Sequence, residues 1–165
     1  MKNELSGTEM GGERDERALN PKHLEIVTGG RHVVYAWRKN NEGERLNLQY
    51  ADLPGKDLRD VEFGDANMRG IELQRAEMKG AQMNGADLRG AILREAKMES
   101  TGLVEADLSG ALLRGAYLKD ANLSGADLSG ADLSGAIVTG ANFEGANFTS
   151  TILDGVDMSA AKTDK

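Results

Sequence analysis

Residues 121–135 read ANLSG ADLSG ADLSG, three consecutive copies of one five-residue unit. The same phase extends in both directions, because every fifth position from Leu48 to Met158 is Leu, Met, Phe or Val. We call these positions the central column. Two residues before each of them stands a small or apolar residue, most often alanine. The polar exceptions in this alanine column are Lys56, Thr101 and Thr151. This unbroken register predicts one continuous repeat structure.

The five-residue period indicates short extended segments joined by turns. A period of five matches neither the 3.6-residue period of an α-helix nor the two-residue alternation of a long strand. Residues at i and i−2 do lie on the same side of a short extended segment. Glycine is frequent two residues after the central position, where a turn requires a positive φ. We therefore expect each unit to form one side and one corner of a coil, with both columns pointing inward.

The stretch 121–135 resembles the tandem A(D/N)LxG consensus of the pentapeptide-repeat family. That resemblance implies an all-β fold, namely a right-handed quadrilateral (four-sided) parallel β-helix with four units per coil. We expect this solenoid to occupy residues 46–158. With coils stacked about 4.8 Å apart, it would have roughly five to six coils and a length of about 27 Å.

A solenoid exposes its core at an uncapped end, so the segment before the repeats is expected to form a cap. We predict disorder for residues 1–19 and an N-terminal cap with a short helix for residues 20–45. His23 to Val27 could be a short strand or a helical turn. Arg31 to Lys39 reads as an amphipathic helix. The stretch from Gly30 to Lys39, with its Ala36-Trp37-Arg38, resembles a leader found before the repeats in many bacterial members of the family. Its side chains expected to face the first coil are Val33, Val34 and Trp37.

The other end carries only the short tail 159–165, which is too short for a capping helix. Either the tail folds over the last coil or the open end joins a second copy. We expect a weak end-to-end homodimer through the C-terminal coil.

Composition and charge argue against three functional classes: enzymes, membrane proteins and proteins that bind nucleic acid directly. The chain has no cysteine and only two histidines, His23 and His32, neither with an evident catalytic or metal partner, so we expect no enzymatic activity, metal or cofactor. The charged N-terminal stretch lacks an apolar signal sequence, which favours a cytoplasmic protein that does not enter membranes. A formal charge of −7 argues against direct nucleic-acid binding.

Outward-facing apolar residues form a candidate interaction patch. In the predicted four-sided coil, residues twenty apart stack on one face, which pairs Ile92 with Leu112 and, on the adjoining face, Tyr117 with Ile137. A contiguous apolar group on a surface is a candidate contact site. The alternative is that these residues merely suit exposed strand positions.

A second candidate surface is acidic. The segment from residue 120 to residue 158 contains no Lys or Arg, and its acidic residues are Asp120, Asp127, Asp132, Glu144, Asp154 and Asp157. Such a surface could meet a basic partner or serve only solubility. On one face a column of Asp87, Asp107 and Asp127 lies beside Arg69 and Arg89, which favours ion pairs over a cation site.

These features favour a non-enzymatic scaffold that binds an unknown protein through its β-helix faces. The alternative, implied by the resemblance, is an acidic mimic of duplex DNA that binds DNA gyrase and modulates supercoiling or quinolone sensitivity. Eighteen acidic and ten basic residues give the repeat zone a net charge of −8. Duplex DNA of that length, about 27 Å, would carry about sixteen charges. Only the coils after Asp120 approach that density.

Overall fold

The computed structural model describes residues 19–164, and two short helices begin this part of the chain. Helix α1 covers Pro21–Thr28 and helix α2 covers Arg31–Asn40. The predicted disordered segment lies outside the described residues except for Leu19, which packs against the core. Between residues 19 and 164, neither helix has the length and apolar character needed to cross a membrane.

From Asn47 onward the chain forms a four-sided solenoid. Parallel bridges join residues twenty positions apart, beginning with Asn47 to Asn67 and ending with Asn142 to Lys162. Twenty residues are four five-residue units, so each coil has four sides. The ladder reaches Lys162 and thus includes part of the segment predicted as a tail. Each face is numbered here by its first outward residue: Asn47 for face 1, Asp52 for face 2, Asp57 for face 3 and Glu62 for face 4.

Adjacent coils are joined by backbone hydrogen bonds in both directions. The N–H of Leu48 donates to the carbonyl of Asn67 at 2.7 Å, and the N–H of Asn67 donates to the carbonyl of Leu46 at 2.8 Å. The central column between Leu48 and Phe143 is at most 2% exposed. Burying this column and the alanine column beside it supplies the main driving force for stacking coils.

The polar exceptions in the alanine column are accommodated individually. The hydroxyl of Thr101 is buried and donates to the carbonyl of Met78 at 3.2 Å. The hydroxyl of Thr151 donates to the carbonyl of Leu128 at 2.7 Å. Lys56 is exposed, in the first coil after Pro54. A buried polar group therefore finds a partner, whereas the charged side chain reaches solvent.

The corners explain the preferred residues around each central position. Every corner residue from Tyr50 to Gly155, two positions after the central residue, has a positive φ. Glycine adopts this conformation without steric strain, which accounts for its frequency there. An Asp or Asn before the central residue accepts a hydrogen bond from the N–H two residues later, as Asp127 does from Ser129 at 2.9 Å. The A(D/N)LxG consensus thus reflects local backbone geometry.

Candidate interaction surfaces

The structure places the predicted apolar patch on two adjoining faces. Ile92 bridges to Leu112 on face 2, and Tyr117 bridges to Ile137 on face 3. Ile92 and Leu112 are half-buried, whereas Tyr117 is 40% exposed and Ile137 is 45% exposed. The corner that follows Leu112 lies between the two pairs. We call these four residues the apolar patch.

Two arginines flank the apolar patch on the edge between faces 2 and 3. Arg94 and Arg114 occupy equivalent positions in successive coils, and both are exposed. Arg114 lies 3.9 Å from the Asp132 carboxylate, whereas Arg94 has no ion pair within 4 Å among residues 19–164. The neighbouring Glu95 is paired with Arg75 at 2.8 Å. Like charges stacked in adjacent strands repel each other, so an anionic group from outside would be favourable here.

The acidic residues of the last coils do not share one face. Face 1 carries Asp127, face 2 carries Asp132 and Asp154, face 3 carries Asp157, and face 4 carries Glu144. Asp120 lies at the corner that follows face 3. The acidic segment therefore surrounds the solenoid. Each coil takes twenty residues, so acidic residues that are close in sequence lie on different sides.

Three of these carboxylates are held in the ionised form by the corner geometry. The serine two residues later donates hydrogen bonds that lower the pKa of each: Ser129 for Asp127, Ser134 for Asp132 and Ser159 for Asp157. Hydrogen bonds to the charged form of a carboxylate favour that form. These aspartates thus have a structural role at their corners whatever else they contact.

Face 4 has a charge asymmetry that the sequence analysis missed. Its five units between residues 61 and 145 contain no Lys or Arg, and the acidic residues there are Glu62, Asp65, Glu105 and Glu144. The remaining outward positions are mainly amides and glycine. Grouping residues whose numbers differ by twenty would have revealed this face, once four units per coil had been assumed.

Two members of the aspartate column on face 1 are paired with an arginine. The guanidinium of Arg89 hydrogen-bonds Asp87 and lies 3.5 Å from Asp107, and Arg89 lowers the pKa of Asp87. Within residues 19–164 no group of three or more acidic, histidine or cysteine side chains is arranged to hold a metal ion. The geometry agrees with the ion-pair interpretation for Asp87 and Asp107, whereas Asp127 accepts hydrogen bonds from Ser129 and Asn147.

The N-terminal end is closed by groups that replace a missing coil. Arg38 of α2 donates to the carbonyls of Glu62 and Gly64, at 2.8 and 2.7 Å. The N–H of Asn47 donates to the imidazole Nδ1 of His23 at 2.8 Å. In a longer solenoid these backbone groups would face a preceding coil. Two of the four sides at this edge are thus capped by side chains.

The predicted cap residues have different environments. Val34 is fully buried in the core, and the partly buried Trp37 packs against it and contacts the His23 ring. Val33 is 43% exposed, which corrects its expected position over the first coil. Helical geometry explains the difference, since adjacent residues in a helix project about 100° apart. Val27 of α1, which sequence analysis did not single out, is fully buried.

The C-terminal end of the described solenoid is less completely buried than the interior coils. The central residues Phe148, Leu153 and Met158 are only partly buried and border a shallow depression of about 240 Å³. Among residues 19–164, their backbone N–H groups have no hydrogen-bond acceptor. The Asp164 carboxylate accepts from the N–H of Gly145 at 2.9 Å and so caps one neighbouring donor. An apolar surface bordered by free donors therefore lies at this end.

The repeat pattern of the chain matches a known family. The family described as pentapeptide repeats matches in eight copies, over residues 44–80, 57–95, 101–140 and 126–162. The crystal structure of Rfr23, a pentapeptide repeat protein from the cyanobacterium Cyanothece 51142, is similar with 30% identity and a TM-score of 0.53. That similarity covers 79% of this chain and 93% of Rfr23.

A trypsin-treated variant of QnrB1, a plasmid-mediated fluoroquinolone resistance protein, has the same fold. It shares 20% identity at a TM-score of 0.51, over 71% of this chain and 74% of the other. No curated protein sequence matches the chain. The family match spans more than half of the chain and coincides with the stacked coils. This chain therefore belongs to the pentapeptide-repeat family, and its solenoid is a right-handed β-helix.

Proposed function

We propose that this protein is a non-enzymatic scaffold that binds a partner protein through its apolar patch. The observation that carries this proposal is the exposure of Tyr117 and Ile137 in an outward column that otherwise holds charged side chains. A flat, rigid surface loses little conformational entropy on binding, because its backbone is already fixed by hydrogen bonds on both sides. An aromatic side chain at the centre of such a surface is a typical energetic anchor.

The surroundings of the apolar patch favour a partner of particular chemistry. Arg94 and Arg114 flank the apolar patch, and Arg94 has no ion pair among the described residues. A partner segment with apolar side chains and at least one carboxylate would cover Tyr117 and Ile137 while neutralising the arginine pair. Charge complementarity of this kind favours the correct partner and accelerates its association.

A double substitution tests this proposal. Tyr117→Asp with Ile137→Asp should abolish capture of the partner from lysate, measured by quantitative mass spectrometry. The matched control is Asn122→Asp with Asn142→Asp, which adds the same two charges at stacked positions in the same coils on face 4. The control should retain the partner. Equal loss in both variants, or in neither, would show that the apolar patch is not the binding surface.

The gyrase-binding alternative has one observation in its favour, the absence of Lys and Arg from face 4 between residues 61 and 145. The four acidic residues there are spread over five coil levels, about 19 Å, where duplex DNA would carry about eleven charges. Face 4 therefore carries far fewer negative charges than duplex DNA of the same length. A gyrase supercoiling assay with and without a quinolone tests this alternative. Inhibition or relief of poisoning that is lost with Glu105→Gln and Glu144→Gln would support it, and no effect at micromolar concentration would exclude it.

A further inference from the structure

We propose that the edge between faces 1 and 2 holds a binding site for a small phosphate monoester that carries a planar ring, such as a nucleoside monophosphate. The site is a depression of about 310 Å³ in the first three coils, lined by Gln49, Tyr50, Asn67, Arg69, Asp87 and Arg89. A volume of this size lies at the lower end of the range for small-molecule sites. The site is separate from the apolar patch, which spans faces 2 and 3, and it does not depend on a partner protein.

A buried amide donor without a partner belongs to this depression. Gln49 is only 7% exposed. The Oδ1 of Asn67 accepts from the N–H of Arg69 at 3.4 Å, so the Nδ2 of Asn67 is the group that donates to Gln49 Oε1, at 3.3 Å. These bonds fix the orientation of both amides. The Nε2 of Gln49 is therefore the group left over, and it has no acceptor among residues 19–164. An unpaired donor in so buried a side chain is accounted for if a ligand accepts from it.

Two arginines supply positive charge beside this amide. Arg69 and Arg89 follow Gln49 at intervals of twenty residues, so the three occupy equivalent positions in successive coils of face 1. Arg89 is paired with Asp87 and lies 3.5 Å from Asp107. The exposed Arg69 has no ion pair within 4 Å in the part of the chain from 19 to 164. In a chain of net charge −7, two arginines against one aspartate give the depression a positive lining. Guanidinium groups bind phosphate oxygens through paired N–H donors.

Tyr50 supplies an aromatic surface next to the arginines. It is 61% exposed and occupies a corner with a φ of 58°, a conformation that is unfavourable for a bulky residue. Its ring covers the corner of the next coil, because a Cβ added at Gly70 would lie 2.5 Å from two of the ring carbons. The glycine thus leaves the space that the ring occupies. An exposed ring kept at a strained corner is accounted for if it stacks on the planar part of a ligand.

The arrangement of donors favours a phosphate monoester over a carboxylate. Arg69, Arg89 and the Gln49 amide approach from successive coils about 4.8 Å apart, and a phosphate monoester offers three acceptor oxygens where a carboxylate has two. The two stacked guanidinium groups repel each other, and a dianion between them offsets that repulsion better than a single charge does. A free small molecule is favoured over a nucleic-acid strand, because the net charge of −7 would repel the further phosphates.

NMR titration of the isotope-labelled full chain with adenosine monophosphate (AMP) tests the site. We expect saturable shifts of the backbone amide signals at residues 49–50, 69–70 and 89. Inorganic phosphate and adenosine each lack one half of the probe, and both should bind about tenfold more weakly or less. The absence of saturable shifts at millimolar AMP, or equal binding of adenosine and AMP, would overturn the proposal.

Two substitutions test the phosphate contacts. Gln49→Glu keeps the acceptor that Asn67 uses but replaces the unpaired N–H donor with a carboxylate oxygen, so binding of AMP should be lost. Arg69→Gln should weaken binding about tenfold. The matched control Lys79→Gln removes an exposed cation from the corresponding position on face 3 of the same coil and should keep the affinity. Equal losses in Arg69→Gln and Lys79→Gln would reveal only general electrostatic attraction and would overturn the site.

A third substitution tests the ring. Tyr50→Gly restores the residue preferred at a corner, so the midpoint of thermal unfolding should not fall. The same variant should bind AMP about tenfold more weakly while keeping its affinity for inorganic phosphate. Unchanged affinity for AMP would contradict the stacking role of Tyr50. A phosphotyrosine peptide carries the same chemistry on a protein, and binding of that peptide without binding of AMP would overturn the assignment to a free small molecule.

Discussion

The two ends of this solenoid differ in how the terminal coil, which lacks a neighbouring coil on one side, is covered. At the N-terminal end, α1 and α2 cover the first coil, and Arg38 and His23 bond backbone groups that lack a preceding coil. At the C-terminal end, the chain continues its repeat until Lys162 and leaves Phe148, Leu153 and Met158 partly exposed. In a structure stabilised by neighbouring coils, a missing neighbour weakens the terminal unit. Within residues 19–164, one end is therefore covered by helices, and the other leaves part of its core exposed.

The largest contrast between the ends should concern aromatic core residues. Phe63 in the first coil is fully buried, so Phe63→Ala should lower the free energy of unfolding by about 3–5 kcal/mol. Phe148→Ala should cost less than half as much, because water already reaches that side chain at the C-terminal end. Urea denaturation followed by circular dichroism measures both values. Similar losses for the two variants would mean that the C-terminal end is covered in solution.

The second effect concerns the N-terminal cap alone. Arg38→Ala leaves the carbonyls of Glu62 and Gly64 without their charge-assisted hydrogen bonds and should destabilise the protein by about 1.5–3 kcal/mol. Lys39→Ala is the matched control, because that neighbouring side chain is exposed. Hydrogen exchange should localise the loss to the first coil. Exchange that accelerates uniformly along the solenoid would argue against a local capping role.

A smaller effect on stability is expected from protonation of His23 in the same cap. Burial lowers the pKa of His23 below its ordinary value of 6.5, and the nearby Glu44 opposes this shift only in part. The unfolded state therefore binds the proton more readily than the folded state, and the cap loses stability as the pH falls below about 6.5. Protonation also removes the Nδ1 acceptor that Asn47 uses.

Melting curves between pH 7.5 and 5 measure this loss, which should shift the midpoint by a few degrees and disappear in His23→Gln. His32, exposed on α2, provides the control substitution His32→Gln, which should keep the shift.

A separate loss of folding stability is expected below about pH 4. There the carboxylates with lowered pKa, such as Asp127 and Asp132, take up protons and lose the stability they contribute at higher pH.

The two inward threonines should give the smallest change. Thr101→Ala removes a buried hydrogen bond in the middle of the solenoid, and Thr151→Ala removes a similar one near the C-terminal end. Each substitution restores the preferred alanine, so the loss should be about 1 kcal/mol or less. We expect Thr101 to show the larger value in urea denaturation, because its surroundings exclude water. A larger loss at Thr151 would again indicate that the last coil is covered.

The sequence predicted the interior far better than the exterior. Leu48 and every central residue to Met158 could be placed inward, because alternation within a short extended segment depends only on neighbouring residues. The apolar patch was predicted from the stacking of residues twenty apart, and those stacks are present as the bridges Ile92 to Leu112 and Tyr117 to Ile137. The charges of the acidic segment are distributed over all four faces of the last coils, since residues close in sequence occupy successive sides.

The five-residue unit is encoded locally: its inward side chains, its corner glycines and the aspartates that bond the following turn can all be read from the chain. These features follow from local backbone geometry and from burial of a regular apolar pattern. Three-dimensional packing was needed to establish how α1 and α2 cover one end and how far the side chains of the last described coil are buried at the other. Those outcomes depend on hydrogen bonds between residues far apart in the chain, such as Arg38 with Gly64, which no local pattern encodes.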